Sequence, residues 1–313
     1  MMNNVGKVKN TGVEISLSTV NVQTKDFYWS TTFSFAKNKN EILELNGGKE
    51  DLVANKWFIG QPIDVIYDYE YAGVCTAEEA RAYATNDAIK TKFIEGEMKL
   101  KDQQQPGEEG YGVIDENDLV VLGHALPKWT GSVTSNMTYK NFDFSFSIYT
   151  KQGGMVESPF MAEFTNYKDR GRNKLKMDYY IPAGTPVLNA DGSGYTLTTE
   201  AHMGAYPYPT NTANNNYGGG IGWGTDKQTT YVGNSYVDNS FVKIKNITLG
   251  YTFPKSWMSK IGVDHLRLYV NVLNPFTFTS YKGFDPEWAD AALNDGTGGP
   301  SSRTYQVGVN LKF

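Results

Sequence analysis

The chain has 313 residues, a formal net charge of −5 and an isoelectric point near 5.4, so the basic footprint of a nucleic-acid binder is absent. Mean hydropathy is −0.46 and no run of about 18 apolar residues occurs, which excludes a transmembrane helix but not a barrel strand, where only alternate residues are apolar. One cysteine, Cys75, leaves no disulfide framework within the chain and no Cys-rich zinc site, while 21 Tyr, 16 Phe and 32 Gly favour an all-β protein with long loops.

The opening residues, MMNNVGKVKNTG, carry no charged start, apolar core and cleavage site. A secreted or outer-membrane protein needs these, so the expectation is a cytoplasmic protein or a fragment missing its beginning. The first predicted strand covers 13–22, where Val13, Ile15 and Leu17 alternate with Glu14, Ser16 and Ser18. The second covers 26–36, with Phe27, Trp29, Thr31, Phe33 and Phe35 on one face. Thr76-Ala77-Glu78-Glu79 is a capping box that predicts a helix to about Lys90, with Ala80, Tyr83, Ala84 and Ala88 on one face. Strands follow at 131–139 (Val133, Met137, Tyr139) and 142–149 (Phe142, Phe144, Phe146, Ile148). The segment 204–236 is rich in Gly, Asn, Pro and Tyr. Its Tyr206, Tyr208, Tyr217, Trp223 and Tyr231 are candidates to stack on sugar rings or apolar ligand faces, against the alternative of loop self-packing. Three more strands lie at 240–253 (Ile247, Leu249, Tyr251, Phe253), 264–273 (Leu266, Leu268, Val270, Val272) and 303–313 (Tyr305, Val307, Val309, Leu311, Phe313).

The seven strands share one pattern: large apolar residues on one face, and Ser, Thr, Asn or Gly on the other. That suits lipid outside and a wet lumen inside. It also suits the core and surface of a soluble sandwich. The connections favour the first. Residues 23–26 and 139–142 are tight turns and 253–264 a short link, whereas 37–130, 151–239 and 275–301 are long. Short periplasmic turns and long extracellular loops give every strand a direction, and Phe313 ends on the periplasmic side. The expected fold is therefore all-β: a partial antiparallel transmembrane barrel with long extracellular loops and a short loop helix. Seven strands make an incomplete wall unless others lie within 55–71 or 151–200.

No catalytic constellation is visible. His124, His202 and His265 lie far apart in sequence, and neither G-x-S-x-G nor H-E-x-x-H occurs. The expectation is a protein that is not an enzyme and carries no cofactor.

Several stretches resemble the C-terminal part of SusC/RagA-type TonB-dependent outer-membrane transporters. Residues 240–254, SFVKIKNITLGYTFP, are similar to that family's S-F-x-R/K-L/I-K-N-I-T-L-G-Y-T/N-F/L-P strand. LRLYV at 266–270, NPFTFT at 274–279 and YKGFDPE at 281–287 follow in the family's order, as Gly12-Val13-Glu14, Trp29-Ser30-Thr31, Asn38-Lys39-Asn40 and Gly60-Gln61-Pro62 do earlier. The resemblance implies that residues 1–313 form the C-terminal strands of a 22-stranded barrel, without signal peptide, TonB box or plug. It implies a role in importing oligosaccharides or peptides across a Gram-negative outer membrane. The implied partners are a SusD-like lipoprotein, the TonB complex acting through the missing plug region, outer-membrane lipid, and the barrel-assembly machinery. That machinery would read Tyr305, Val307, Val309, Leu311 and Phe313. No nucleic acid is expected.

Where this family often carries a D-x-N-x-D-G-x-I-D loop, the chain has GEEGYGVIDEND at 107–118. Glu109, Asp115 and Asp118 are weak calcium candidates, since Gly107 and Tyr111 stand where carboxylates would be needed; Asp102 replaces the first only if the loop folds back. The loop helix reads as packing on its neighbours, or else as touching the lipoprotein. Two other outcomes stay open: a soluble all-β carbohydrate-binding module, and a fragment inactive by itself.

Overall fold

The computed structural model describes residues 6–158, 178–206, 236–289 and 301–313. In chain order its strands and helices are β1 (Gly6–Gln23), β2 (Phe27–Leu45), β3 (Val65–Tyr69), β4 (Tyr71–Val74), α1 (Ala77–Thr85), β5 (Met98–Leu100), β6 (Leu119–His124), β7 (Trp129–Tyr139), β8 (Phe142–Gln152), β9 (Met155–Glu157), β10 (Pro186–Leu188), β11 (Tyr195–Leu197), β12 (Tyr236–Asp238), β13 (Phe241–Thr252), α2 (Lys255–Met258), β14 (His265–Thr279) and β15 (Thr304–Lys312). Seven of them, β1-β2-β7-β8-β13-β14-β15, form one antiparallel sheet in sequence order. These are the seven strands expected from alternation. The strands β3, β4, β5, β6, β9, β10, β11 and β12 form separate two-stranded pairs off that wall. Among the described residues, no helix is long and apolar enough to cross a membrane.

Register keeps the two faces of the wall apart, because directly paired residues project to the same side. One row runs Leu17–Phe33–Val133–Ile148–Ile244–Phe276. Another runs Trp29–Met137–Phe144–Leu249–Val270–Val307. The opposite face carries Ser30–Asn136–Ser145–Thr248–Asn271–Gln306. A one-residue slip would exchange the faces. A register shift between Ile244 and Asn246, where Lys245 is the extra residue of β13, lets Ile244 and Ile247 both join the apolar side.

Among the described residues, the apolar side faces no second sheet. Leu249 is 48% exposed and Val307 82%. A soluble sandwich would bury this face, so that expectation gives way to the single wall. From Val242 to Tyr251 the apolar band covers roughly 30 Å of strand, or about 23 Å of height at a tilt of about 40°. Aromatic side chains mark its lower end, where Phe27 meets Tyr139 at 6.5 Å and Phe142 meets Tyr251 at 4.7 Å between ring centroids. Band height and girdle are those of a strand wall in lipid. The one polar atom of Trp29 is satisfied on this face, its indole Nε1–H donating to Ser135 Oγ at 2.8 Å.

The loop between β2 and β7 has its own small core of Cys75, Phe93, Met98 and Leu100, against which Ala80 and Tyr83 of α1 pack. The expected capping box is present: Thr76 accepts from the Glu79 N–H, and the Glu79 carboxylate accepts from the Thr76 N–H. The helix is shorter than the sequence suggests. It ends at Thr85, because Asn86 is extended (φ −92°, ψ 105°) and turns its side chain to accept from the Ala88 N–H at 3.0 Å. Asn competes for backbone partners in this way and stops helices.

Candidate functional site on the polar face

The polar face is the side of the wall that can meet a solute. At mid-height it is uncharged and bridged by side-chain hydrogen bonds. Thr248 Oγ1 donates to Asn271 Oδ1 at 3.0 Å, and Asn271 Nδ2 donates to Gln306 Oε1 at 2.9 Å, tying β13, β14 and β15. Across β1, β2 and β7 the face is lined by small residues, which leave a shallow hollow of about 380 Å³ bordered by Glu14, Ser16, Ser34, Ser132 and Tyr149.

The paired charges of this face lie at its two ends. Near the short turns, Arg267 of β14 reaches across β13 to Asp143 of β8, its Nε donating to Oδ1 at 2.8 Å and its Nη2 to Oδ2. Gly250 is the residue crossed. A Cβ there would lie 2.4 Å from Asp143 Oδ1 and 2.5 Å from Arg267 Nη2. The guanidinium also lies 4.8 Å from the Tyr269 ring centre. That ring rests on Gly308, where a Cβ would come within 2.1 Å of it. Two glycines of the polar face thus make room for side chains from neighbouring strands.

At the opposite end, Lys243 is fully buried, with Nζ 2.9 and 3.0 Å from the two Asp285 oxygens and bonded to Glu287 as well. Lys245 holds Glu287 at 2.6 and 2.9 Å. Asp285 also accepts from the backbone N–H groups of Glu287 and Ser301 at 3.0 and 3.1 Å. Burial would raise both carboxyls, but the lysines and these N–H groups outweigh it and hold Asp285 and Glu287 below their ordinary values. Tyr281 and Ser158 share a hydrogen bond at 3.0 Å on the same strap. Residues 281–287, which follow β14, are therefore tied down on the wall. They enclose a polar hollow of about 330 Å³ whose lining includes Lys243, Thr277, Asp285 and Ser301.

Phenols join the long loops to one another. Tyr236 donates to Asp68, Tyr180 to Glu95, and Tyr71 to the Ala205 carbonyl at 3.1 Å. Burial pushes the Tyr71 and Tyr180 phenols up to about 12; the nearby Tyr206 adds to the first, and Glu95 to the second.

Of the sequence candidates, Tyr206 packs its ring against Tyr179 at 6.2 Å, while Tyr208, Tyr217, Trp223 and Tyr231 lie outside the described residues. The acidic loop does fold back, and Asp102 Oδ2 accepts from the Gly112 N–H at 2.6 Å. Asp118, buried, accepts from the Gln103 and Asp115 N–H groups at 2.7 and 2.8 Å, Asp115 accepts from Asn117, and Glu109 is exposed. The carboxylates of Asp102, Asp115 and Asp118 are occupied by backbone donors, and no group of three metal-ligating side chains forms among the described residues. Tyr305, Val307, Val309, Leu311 and Phe313 are all exposed, four of them paired along β14 on the apolar face. His202 meets Asp178 at 2.6 Å on an exposed loop, apart from His124 in β6 and His265 in β14. Alternation alone missed the charge pairs. Their signal was a lone charged residue on a face otherwise made of hydroxyls, amides and glycine.

No protein-family model matches the chain. It is 30% identical to TonB-dependent receptor P3 of Formosa agariphila, over 99% of this chain and 29% of the relative. It is 27% identical to TonB-dependent receptor SusC of Bacteroides thetaiotaomicron, over 100% of this chain and 27% of the relative. The solved structure of the RagAB peptide transporter superposes with a TM-score of 0.64 at 22% identity, over 99% of this chain and 30% of that one. The chain thus spans just under a third of the length of the relatives it matches. Over that length its sequence is similar to TonB-dependent receptors, SusC among them, and its strand wall to that of the RagAB transporter.

Proposed function

We propose that the chain is the C-terminal portion of the wall, with its extracellular loops, of an outer-membrane importer energised by TonB, working with a SusD-like lipoprotein. Its cargo would be oligosaccharides or peptides. The carrying observation is the two-faced wall, with an apolar band about 23 Å high backed by a hydroxyl- and amide-lined face. The strands β1 and β15 stand at the two ends of the sheet, each with one side unpaired within it. Lipid cannot satisfy those backbone groups, so further strands must close the barrel before the chain can transport anything. The chain is inactive by itself on this reading. Tyr305, Val307, Val309, Leu311 and Phe313 are the residues we assign to recognition by the barrel-assembly machinery.

Deleting the reading frame that contains this chain should abolish TonB-dependent uptake of one class of oligosaccharide or peptide, and restoring it should return that uptake. Unchanged growth and uptake across both classes of nutrient would sink the proposal.

A further inference from the structure

We propose that cations at the outer rim of the apolar face bind phosphate-bearing lipid headgroups of the outer leaflet. The inference rests on the importer reading, since it needs the wall to stand in a membrane. Arg303 precedes β15 at the end of the wall where the long loops leave, and its guanidinium lies 5.7 Å from the ring centre of Phe276. Phe276 pairs with Ile244 on the apolar face and is 51% exposed, so the guanidinium beside its ring reaches the lipid side, while Arg303 also borders the polar hollow that holds Lys243 and Asp285. Phe278, one step further out on the same face, is exposed too.

A second cluster lies on β1 and β2, four strands away. Val13 pairs with Lys37, Thr11 with Lys39 and Lys9 with Glu41, all on the face that carries Ile15 and Phe35. Lys37 is therefore the first residue above the apolar band on β2, and Trp129 begins the neighbouring β7 at the same level. Lys39 is engaged by Glu41 at 3.0 Å. Lys37, Lys9 and Arg303 are exposed and make no ion pair among the described residues. A chain of net charge −5 thus sets unpaired cations directly above its apolar band.

The position fixes the chemistry. Long basic side chains run their stems along apolar surface and keep the charge at the headgroup level. There a Lys offers a point charge, and an Arg a fork that matches two phosphate oxygens. The two clusters are separated by about 24 Å of sheet, so each meets its own lipid. The occupant continuous with the acyl chains on Phe276, Phe35 and Ile15 is the lipid whose headgroup carries phosphate.

The test uses the whole receptor containing this chain, purified from outer membranes, delipidated in mild detergent, and supplied with phosphatidic acid or with diacylglycerol of the same acyl chains. Native mass spectrometry counts the retained lipid. Wild type should retain phosphatidic acid in preference to diacylglycerol. Lys37→Gln and Arg303→Gln should each lower that retention about five-fold, and the charge-keeping pair Lys37→Arg with Arg303→Lys should preserve it. Equal retention of the two lipids by a correctly inserted wild-type receptor overturns this inference alone, and needs no variant. Unchanged retention in the glutamine variants overturns it too, leaving a merely solvated rim. A wild-type receptor found outside the outer membrane overturns the importer reading and this inference together.

Discussion

The ammonium of Lys243 lies 2.9 and 3.0 Å from the two carboxylate oxygens of Asp285, 42 residues along the chain, and both side chains are withdrawn from water. A buried ion pair is a weak source of net stability, but breaking one by removing a single partner is costly. Lys243→Met should leave Asp285 uncompensated and cost about 3–5 kcal/mol locally. The expected result is release of the 280–289 strap, read as new protease cleavage there while the barrel persists. Adding Asp285→Asn should recover part of the loss. A strap as protected in Lys243→Met as in wild type would show that the pair does not hold it.

The same clamp sets an acid limit. Asp285 and Glu287 have folded values below their unfolded ones, so their contribution is complete above the ordinary carboxylate range, about pH 4. It is lost as pH falls through the depressed folded values. Cleavage of the strap should stay flat from pH 8 to pH 5 and rise only below about pH 4. A rise centred near pH 6 would point to another group.

Gly250 and Gly308 are constrained by what crosses them. Gly250→Ala places a methyl against the Asp143–Arg267 pair, and Gly308→Ala places one against the Tyr269 ring. Overpacking of this kind costs about 1–3 kcal/mol. Each variant should lower the temperature at which the assembled receptor loses its detergent-resistant compact form. Arg267→Ala combined with Gly250→Ala should cost less than the sum of the two, since the contact with Arg267 Nη2 is gone and Asp143 is no longer held against the new methyl.

Phe313 is 81% exposed at the end of the wall. Phe313→Ser should reduce the amount of the parent receptor in the outer membrane without reducing its synthesis. Unchanged yield would remove the terminal residue from the assembly signal.

The wall was legible because its determinants are local. A period of two, as in Phe142–Phe144–Phe146–Ile148, reports a strand with one apolar face wherever that strand goes. The start of α1 was legible for the same reason, with Thr76 and Glu79 completing each other within one turn. Its end was not, because Asn86 chose between continuing the helix and bonding Ala88. The clamp was half legible. Both of its halves, KIK at 243–245 and the DPE at 285–287, stood out as strings, but nothing local says that Lys243 and Asp285 touch. The phenol contacts between loops were invisible. Tyr180 and Glu95 are 85 residues apart, and no period relates them.

Every pairing in the wall joins strands that follow one another along it, with the long excursions all leaving from one end. Growth of such a sheet needs no threading: each strand docks on the one before it. Closing a longer excursion adds little to that step, only about 0.6 kcal/mol for each doubling of loop length. The loops at the outer end can therefore lengthen, shorten and diversify over evolutionary time almost independently of the wall, so that new loop surfaces can be tried on a scaffold whose folding route stays the same.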